Sequence, residues 1–345
     1  MKYFNCDYNE GAHPKILEAL QKSNFEQTEG YGMDIYCKNA AEIIKAKCNR
    51  EDLDVHFLVG GTQTNLTVVS AALRPHQGVL CAETGHVNLH ETGAIEATGH
   101  KVIVVPSKNG KLCAAEVLKV YKAHWNDDTH EHIVQPKMVY ISNPTEVGTI
   151  YSKQELADLY SVCKDNGLYL YVDGARLGYG LCAEGNDLDL PTLASLCDVF
   201  YIGGTKIGAL FGEALVIRSE GLKEDFRYIL KQKGGMLAKG RLLGIQFKTL
   251  FTDDLYFKMS IHANNMAKKI KEALLNKDIK VLIDSNTNQQ FPILNNSIIE
   301  KLKKKYNFAI WQKVDQDNTA VRFCTSWATK EEDVEQLIND IKKLI

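Results

Sequence analysis

The stretch from residue 168 to residue 212 constrains this chain more than any other. Two short apolar runs, 168–172 and 199–202, each close on a charged or glycine-rich turn: Asp173-Gly-Ala-Arg176-Leu after the first and Gly203-Gly-Thr-Lys206-Ile-Gly208 after the second. Runs of this kind read as buried parallel strands whose carboxyl ends carry chemistry. Asp173 and Lys206 then stand at neighbouring strand ends of an α/β sheet.

A lysine amine and a carboxylate so placed suit pyridoxal phosphate. That cofactor needs an amine for a Schiff base and an acid to keep its ring nitrogen protonated, so that the ring can take electrons from a substrate carbanion. Gly203, Gly204 and Gly208 around Lys206 leave room for a flat ring, and Arg176 is placed to meet an anionic group on the same ligand. Singly, each residue has a plainer meaning, because Asp-Gly after a strand is commonly a turn and a lone lysine commonly a solvated charge. Their conjunction with the features below favours the cofactor.

Further strands are predicted at 54–59, 79–82, 101–105, 138–141 and 211–217. Helices are predicted from Pro14 and over 39–47, 66–73, 112–125, 152–166 and 221–230, with a long helical span over 242–270. Repeated strand-helix-strand units favour a mainly parallel sheet with right-handed crossovers. Between the strand at 54–59 and its helix lies Gly60-Gly61-Thr62-Gln63-Thr64-Asn65, a turn that aims backbone N–H groups at an anion, here the cofactor phosphate. The 345 residues, 45% of them hydrophobic, suffice for more than one core. We divide them into an N-terminal segment 1–13, a large cofactor-binding domain 14–245 and a small α/β domain 246–345.

Net charge −2 offers no basic field for nucleic acid and no polybasic membrane signal, so the expected partner is a small molecule. Nine scattered cysteines without CxxC spacing read as reduced thiols. With no signal-peptide pattern and no membrane-length apolar run, the expected location is the cytoplasm. No metal site is expected.

The Asp173-Gly-Ala-Arg176-Leu177 and Gly203-Gly-Thr-Lys206-x-Gly208 segments resemble the signature of the low-specificity L-threonine aldolases, in the β-eliminating-lyase branch of fold-type I pyridoxal phosphate enzymes. The resemblance implies a fold-type I transferase-like α/β architecture with helices on both faces of the sheet. The activity it implies is cleavage of L-threonine or L-allo-threonine to glycine and acetaldehyde. It places the segment around Asp7 near the active site and assigns Gly61, Thr62 and Gln63 to the phosphate. His86 would lie flat on the cofactor ring, with Glu91 steadying its surroundings. Counting back seven residues from Val139 puts His132 where the family has a second active-site histidine, and the catalytic base stays open between the two. Asn143, at a strand's carboxyl end, is placed for the cofactor's ring oxygen, although this chain has Asn-Pro-Thr where many relatives have Asn-Thr. Arg322, a charge within an apolar strand, would hold the substrate α-carboxylate with Arg176, and Asp7 and Glu91 belong to the substrate side.

The family's phosphate-binding arginine after Gly-Gly-Met is replaced by Leu237. Lys233, Lys239 and Arg241, from this chain or a neighbouring subunit, are the candidates in its stead. Assembly as a homotetramer, a dimer of dimers, is the matching expectation. The alternatives are another pyridoxal phosphate-dependent lyase or phenylserine-type aldolase on the same fold, and a non-enzymatic cofactor-binding protein.

Overall fold

The computed structural model describes residues 1–344. Seven strands form the main sheet: β1 Asp54–Leu58, β2 Gln77–Ala82, β3 Val102–Val105, β4 Gln135–Ser142, β5 Tyr169–Asp173, β6 Val199–Gly203 and β7 Glu213–Ile217. Their spatial order is β1-β7-β6-β5-β4-β2-β3. All neighbours run parallel except at β7, which is antiparallel to both β1 and β6. The expected mainly parallel sheet is therefore present, with one strand reversed.

Strands buried on both faces send successive side chains to opposite cores. Met138, Tyr140, Tyr171, Val199 and Tyr201 enter one core, where they meet Val68 and Val69 of α2 (Gly61–Ala72). Val139, Ile141, Leu170, Val172, Phe200 and Ile202 enter the other, under α1 (Ile35–Lys47) and α3 (Lys153–Asp165). Asp34 caps α1, and a capping box of Ser152 and Glu155 starts α3. On the first face the rings of Tyr140, Tyr171 and Tyr201 form a row across β4, β5 and β6, with centroids 5.6 and 6.4 Å apart.

A third core lies in the C-terminal part. Strands Ile293–Asn295, Asn318–Cys324 and Ala309–Lys313 form an antiparallel sheet. Val321 and Phe323 pack there on Val334, Leu337 and Ile341 of the final helix, Glu331–Leu344. The predicted long helix over 242–270 is two helices, α4 (Arg241–Phe251) and α5 (Leu255–Leu275). Asp253 and Asp254 break it by taking left-handed φ values of 53° and 55°. Helix α5 serves two cores, giving Tyr256, Met259 and Ala263 to the sheet and Met266, Ile270 and Leu274 to the C-terminal core. Asp225, also left-handed, splits the helix expected over 221–230. All nine cysteines are free, and among the described residues no helix is long and apolar enough to cross a membrane.

Candidate active site

The carboxyl ends of β5 and β6 meet in two turns stitched together by one main-chain bond, Gly203 N–H to Gly174 O at 2.9 Å. Neither position has room for a side chain. A Cβ at 174 would overlap the Tyr201 carbonyl oxygen, and one at 203 the Ala175 carbonyl. These turns carry Asp173 and Lys206 onto the wall of one cavity of about 260 Å³, which Gly61, Thr62, His86 and Arg176 also line.

Four donors converge on the Asp173 carboxylate. Tyr201 donates to Oδ1 and Tyr140 to Oδ2, each at 2.5 Å, the Ala175 N–H donates to Oδ1 at 2.9 Å, and Asn65 Nδ2 to Oδ2 at 3.3 Å. Both oxygens are thereby fixed. Asn65 also donates to Glu91 Oε1 at 2.6 Å and accepts from the Tyr171 hydroxyl at 2.6 Å, which links the acid to the histidine side of the site.

His86 starts a short helix, His86–Leu89, and its backbone N–H donates to the half-buried Glu146 carboxylate at 2.9 Å. Its Nδ1 lies 2.7 Å from Glu91 Oε1, which sets Nδ1 as the protonated nitrogen and leaves Nε2 free. Burial alone would lower the His86 pKa, but Glu91 and Asp173 overcome it and the net shift is upward. Burial pushes the Glu146 carboxyl up.

Lys206 is enclosed by protein, with its remaining surface open to the cavity, and makes no ion pair among the described residues. Burial and then Arg176 lower its pKa. Beside it Glu213, 4% exposed, accepts from Gly204 N–H at 3.2 Å and from the Thr205 hydroxyl at 2.9 Å. Burial raises its pKa to about 8.

Arg176 is bidentate on Asp7, Nε to Oδ2 at 2.7 Å and Nη2 to Oδ1 at 3.0 Å, and Asn288 Nδ2 adds a bond to Asp7 at 2.9 Å. Burial works against the Asp7 carboxylate, but Arg176 and Lys206 hold its pKa below the usual value. Asp7 therefore occupies the arginine's fork and leaves Nη1 as its uncommitted edge. Arg322 donates to Asn5 O at 2.9 Å and to Gln289 Oε1 at 3.2 Å, with its guanidinium 5.3 Å from the Trp311 ring centre and its Nε buried without a partner. Residues 5–8 thus touch both arginines and the cavity, which Tyr8 lines.

Several expected residues lie elsewhere. His132 is exposed on a turn, His130–His132, ahead of the amino end of β4, whereas the cavity lies at the carboxyl end of that strand. Its assignment to the site is corrected accordingly: a count along one strand does not carry a side chain to the other edge of the sheet. Asn143 is buried and accepts from Tyr151 N–H at 3.1 Å, holding its own loop. Gln63 points away from the cavity, donating to the Lys233 carbonyl at 3.3 Å. Arg241 bonds Ser23 and Glu26 carbonyls, and neither it, Lys233 nor Lys239 lines the cavity. Sequence reasoning missed Asn65, Tyr140, Tyr201, Glu146 and Glu213. For Glu213 a signal existed, since an acid opens an otherwise apolar strand.

The residues fit pyridoxal phosphate. Helix α2 begins at Gly61 with no side-chain cap, so its first N–H groups face the cavity as an anion cradle, five residues earlier than the predicted start. The unpaired Lys206 amine and the fixed Asp173 carboxylate would supply the other two attachments.

A model of the beta-eliminating lyase family matches residues 11–297. The low-specificity L-threonine aldolase of Pseudomonas sp. (strain NCIMB 10558) is 30% identical over 99% of this chain and 97% of its own. A solved threonine aldolase from Leishmania major is 46% identical and superposes with a TM-score of 0.97, covering 100% of this chain and 99% of that one. An aspartate aminotransferase from Thermus thermophilus, 13% identical and covering 99% and 91%, shares the fold with a TM-score of 0.72. The chain belongs to the beta-eliminating lyase family, among relatives of the low-specificity L-threonine aldolases.

Proposed function

We propose that this protein is a pyridoxal 5′-phosphate-dependent carbon–carbon lyase that cleaves L-threonine and L-allo-threonine to glycine and acetaldehyde. The observation that carries this reading is the unpaired Lys206 amine and the Asp173 carboxylate on the wall of one cavity, in a chain related over its length to threonine aldolases. When bound, the cofactor supplies a sink for the electron pair of the broken Cα–Cβ bond.

Lys206 would hold the cofactor through its amine, which makes no ion pair among the described residues. Gly61 and Thr62 would hold its phosphate through backbone N–H groups, and Asp173, braced by Tyr140 and Tyr201, would keep its ring nitrogen protonated. Arg322 and the free edge of Arg176 bind the substrate carboxylate, with Asp7 fixing the angle of Arg176. That grip would orient the substrate and so select which bond at Cα is broken. His86 takes the β-hydroxyl proton at Nε2, and Glu91 stabilises the charge that results.

The same reading places the protein in the cytoplasm and makes it a homo-oligomer, a dimer of dimers. Exposed Phe25, Tyr31, Met33 and Tyr228 support association, and a cation from 231–241 of a second subunit would complete the phosphate site. The C-terminal domain, 246–345, contributes Arg322, which bonds the Asn5 carbonyl of segment 1–13, and that segment's Tyr8 lines the cavity. Acetaldehyde release from each of the four threonine stereoisomers, with phenylserine and serine alongside, tests the assignment. Keto-acid formation, or no aldehyde from any of them by cofactor-loaded protein, rules it out.

A further inference from the structure

Asn65, fully buried, lies near the start of α2, the helix whose first residues form the Gly61 cradle. Its Nδ2 donates to two carboxylates on different elements, Glu91 Oε1 at 2.6 Å and Asp173 Oδ2 at 3.3 Å. The Tyr171 hydroxyl donates to its Oδ1 at 2.6 Å. That bond fixes the orientation of the amide, which turned over would set a carbonyl oxygen between two carboxylates. One side chain thus serves both the acid at the cofactor ring and the acid behind His86.

A buried amide can be no more than a filler of lone pairs, but the oxygen it chooses here argues for more. Glu91 receives both its donors on Oε1, the Asn65 amide at 2.6 Å and His86 Nδ1 at 2.7 Å, while Oε2, also buried, has no partner. Asn65 therefore shares with His86 the one oxygen that holds the ring and leaves the empty one unfilled. A hydrogen bond donated to an ionised acid stabilises it and weakens its pull on a neighbouring cation. The charged groups facing His86 are the carboxylates of Glu91, Asp173 and Glu146, opposed by Lys206 and by the ring of His90 at 5.6 Å. Asn65 donates to two of those three acids.

We infer that Asn65 is a positioning residue for the histidine base: it anchors Glu91 against His86 Nδ1 and, by donating to Glu91 and Asp173 together, keeps the two acids from locking the imidazole in its charged form. An imidazolium has no lone pair for the β-hydroxyl proton, so a base gripped too firmly by its acids is lost at neutral pH. Glu91 orients the ring, and Asn65 sets how firmly it is held. The inference rests on His86 as the base.

The test is an NMR titration of the histidine rings in wild type and Asn65→Leu, both loaded with pyridoxal phosphate, with the His86 signals assigned by their absence from His86→Asn. Leucine keeps the volume of the amide and offers no donor. The His86 midpoint should rise by about one pH unit, opposite in direction to the shift from Glu91→Gln. In turnover, kcat at neutral pH should fall up to about tenfold and recover at higher pH, with KM for threonine near the wild-type value. A midpoint that stays or falls overturns the inference, and a lowered melting temperature as the sole change makes Asn65 a structural bond only. Should Asn65→Leu misfold, Tyr171→Phe frees the amide from its orienting bond and should move the midpoint the same way by less; an unmoved midpoint there is equally fatal. Near wild-type turnover by His86→Asn defeats the base assignment and the inference with it, whereas an inactive His86→Asn with an unmoved midpoint in Asn65→Leu defeats the inference alone.

Discussion

Replacing Asp7 with Asn tests the buried pair that orients Arg176. The substitution keeps the shape but removes the charge, and it turns an amide N–H₂ toward a guanidinium that is almost wholly enclosed. Asp7 is 0% exposed and accepts three hydrogen bonds, two from Arg176 and one from Asn288. Stranding a buried cation in this way costs about 3–5 kcal/mol. For a chain of this size that lowers Tm by roughly 4–7 °C. The pH dependence follows from the depressed folded pKa of Asp7. The pair's contribution is complete above the unfolded carboxylate pKa, so the gap between wild type and Asp7→Asn is full at neutral pH. It closes as pH falls through the folded value, where wild type too loses the charge. Thermal denaturation of the cofactor-free proteins at neutral and acid pH measures this. The double variant Asp7→Asn/Arg176→Gln should lose less than Asp7→Asn alone, because the stranded charge is gone. A single variant within about 1 kcal/mol of wild type, or a double variant worse than the single, refutes the account.

Four further outcomes are expected. Glu91→Gln removes the carboxylate that raises the His86 pKa, so the acid limb of the kcat profile should move to lower pH; a limb that stays put shows that another group is the base. Its loss of rate should be smaller than the roughly 10²- to 10⁴-fold cost of removing a general base outright, read from His86→Ala. Asp173→Asn should bind cofactor but turn over slowly, with an altered absorbance spectrum from the unprotonated ring; normal turnover contradicts its role. Arg322→Ala should raise KM for threonine while leaving cofactor affinity, measured by fluorescence, near wild type. An unchanged KM removes Arg322 from the substrate.

The central pair was legible because buried parallel strands announce themselves as short apolar runs, and Asp173 and Lys206 stand where those runs stop. The Gly61 cradle was legible for the same reason, although the helix absorbs the whole polar stretch 61–65 as its first turn. His132 failed because spacing along β4 says nothing about which end of the strand faces the cavity. Glu146, Asn65 and the tyrosines were invisible because their roles arise only across strands. Tyr140 reads as one more apolar strand residue until register sets it against Tyr171 and its hydroxyl against Asp173. The helix breaks at Asp225 and at Asp253–Asp254 escaped because left-handed aspartates leave no mark on hydrophobic periodicity.

The Gly203–Gly174 stitch has a consequence for how such a site diversifies. The spacing of the two turns that carry amine and carboxylate is set by main chain, at two positions where no side chain can enter, so it behaves as a caliper locked at one opening. The cavity walls contributed by Tyr8, Pro144 and Phe211 can be exchanged without moving its jaws. New aldehydes can be accommodated there while the electron-accepting hardware keeps its gauge.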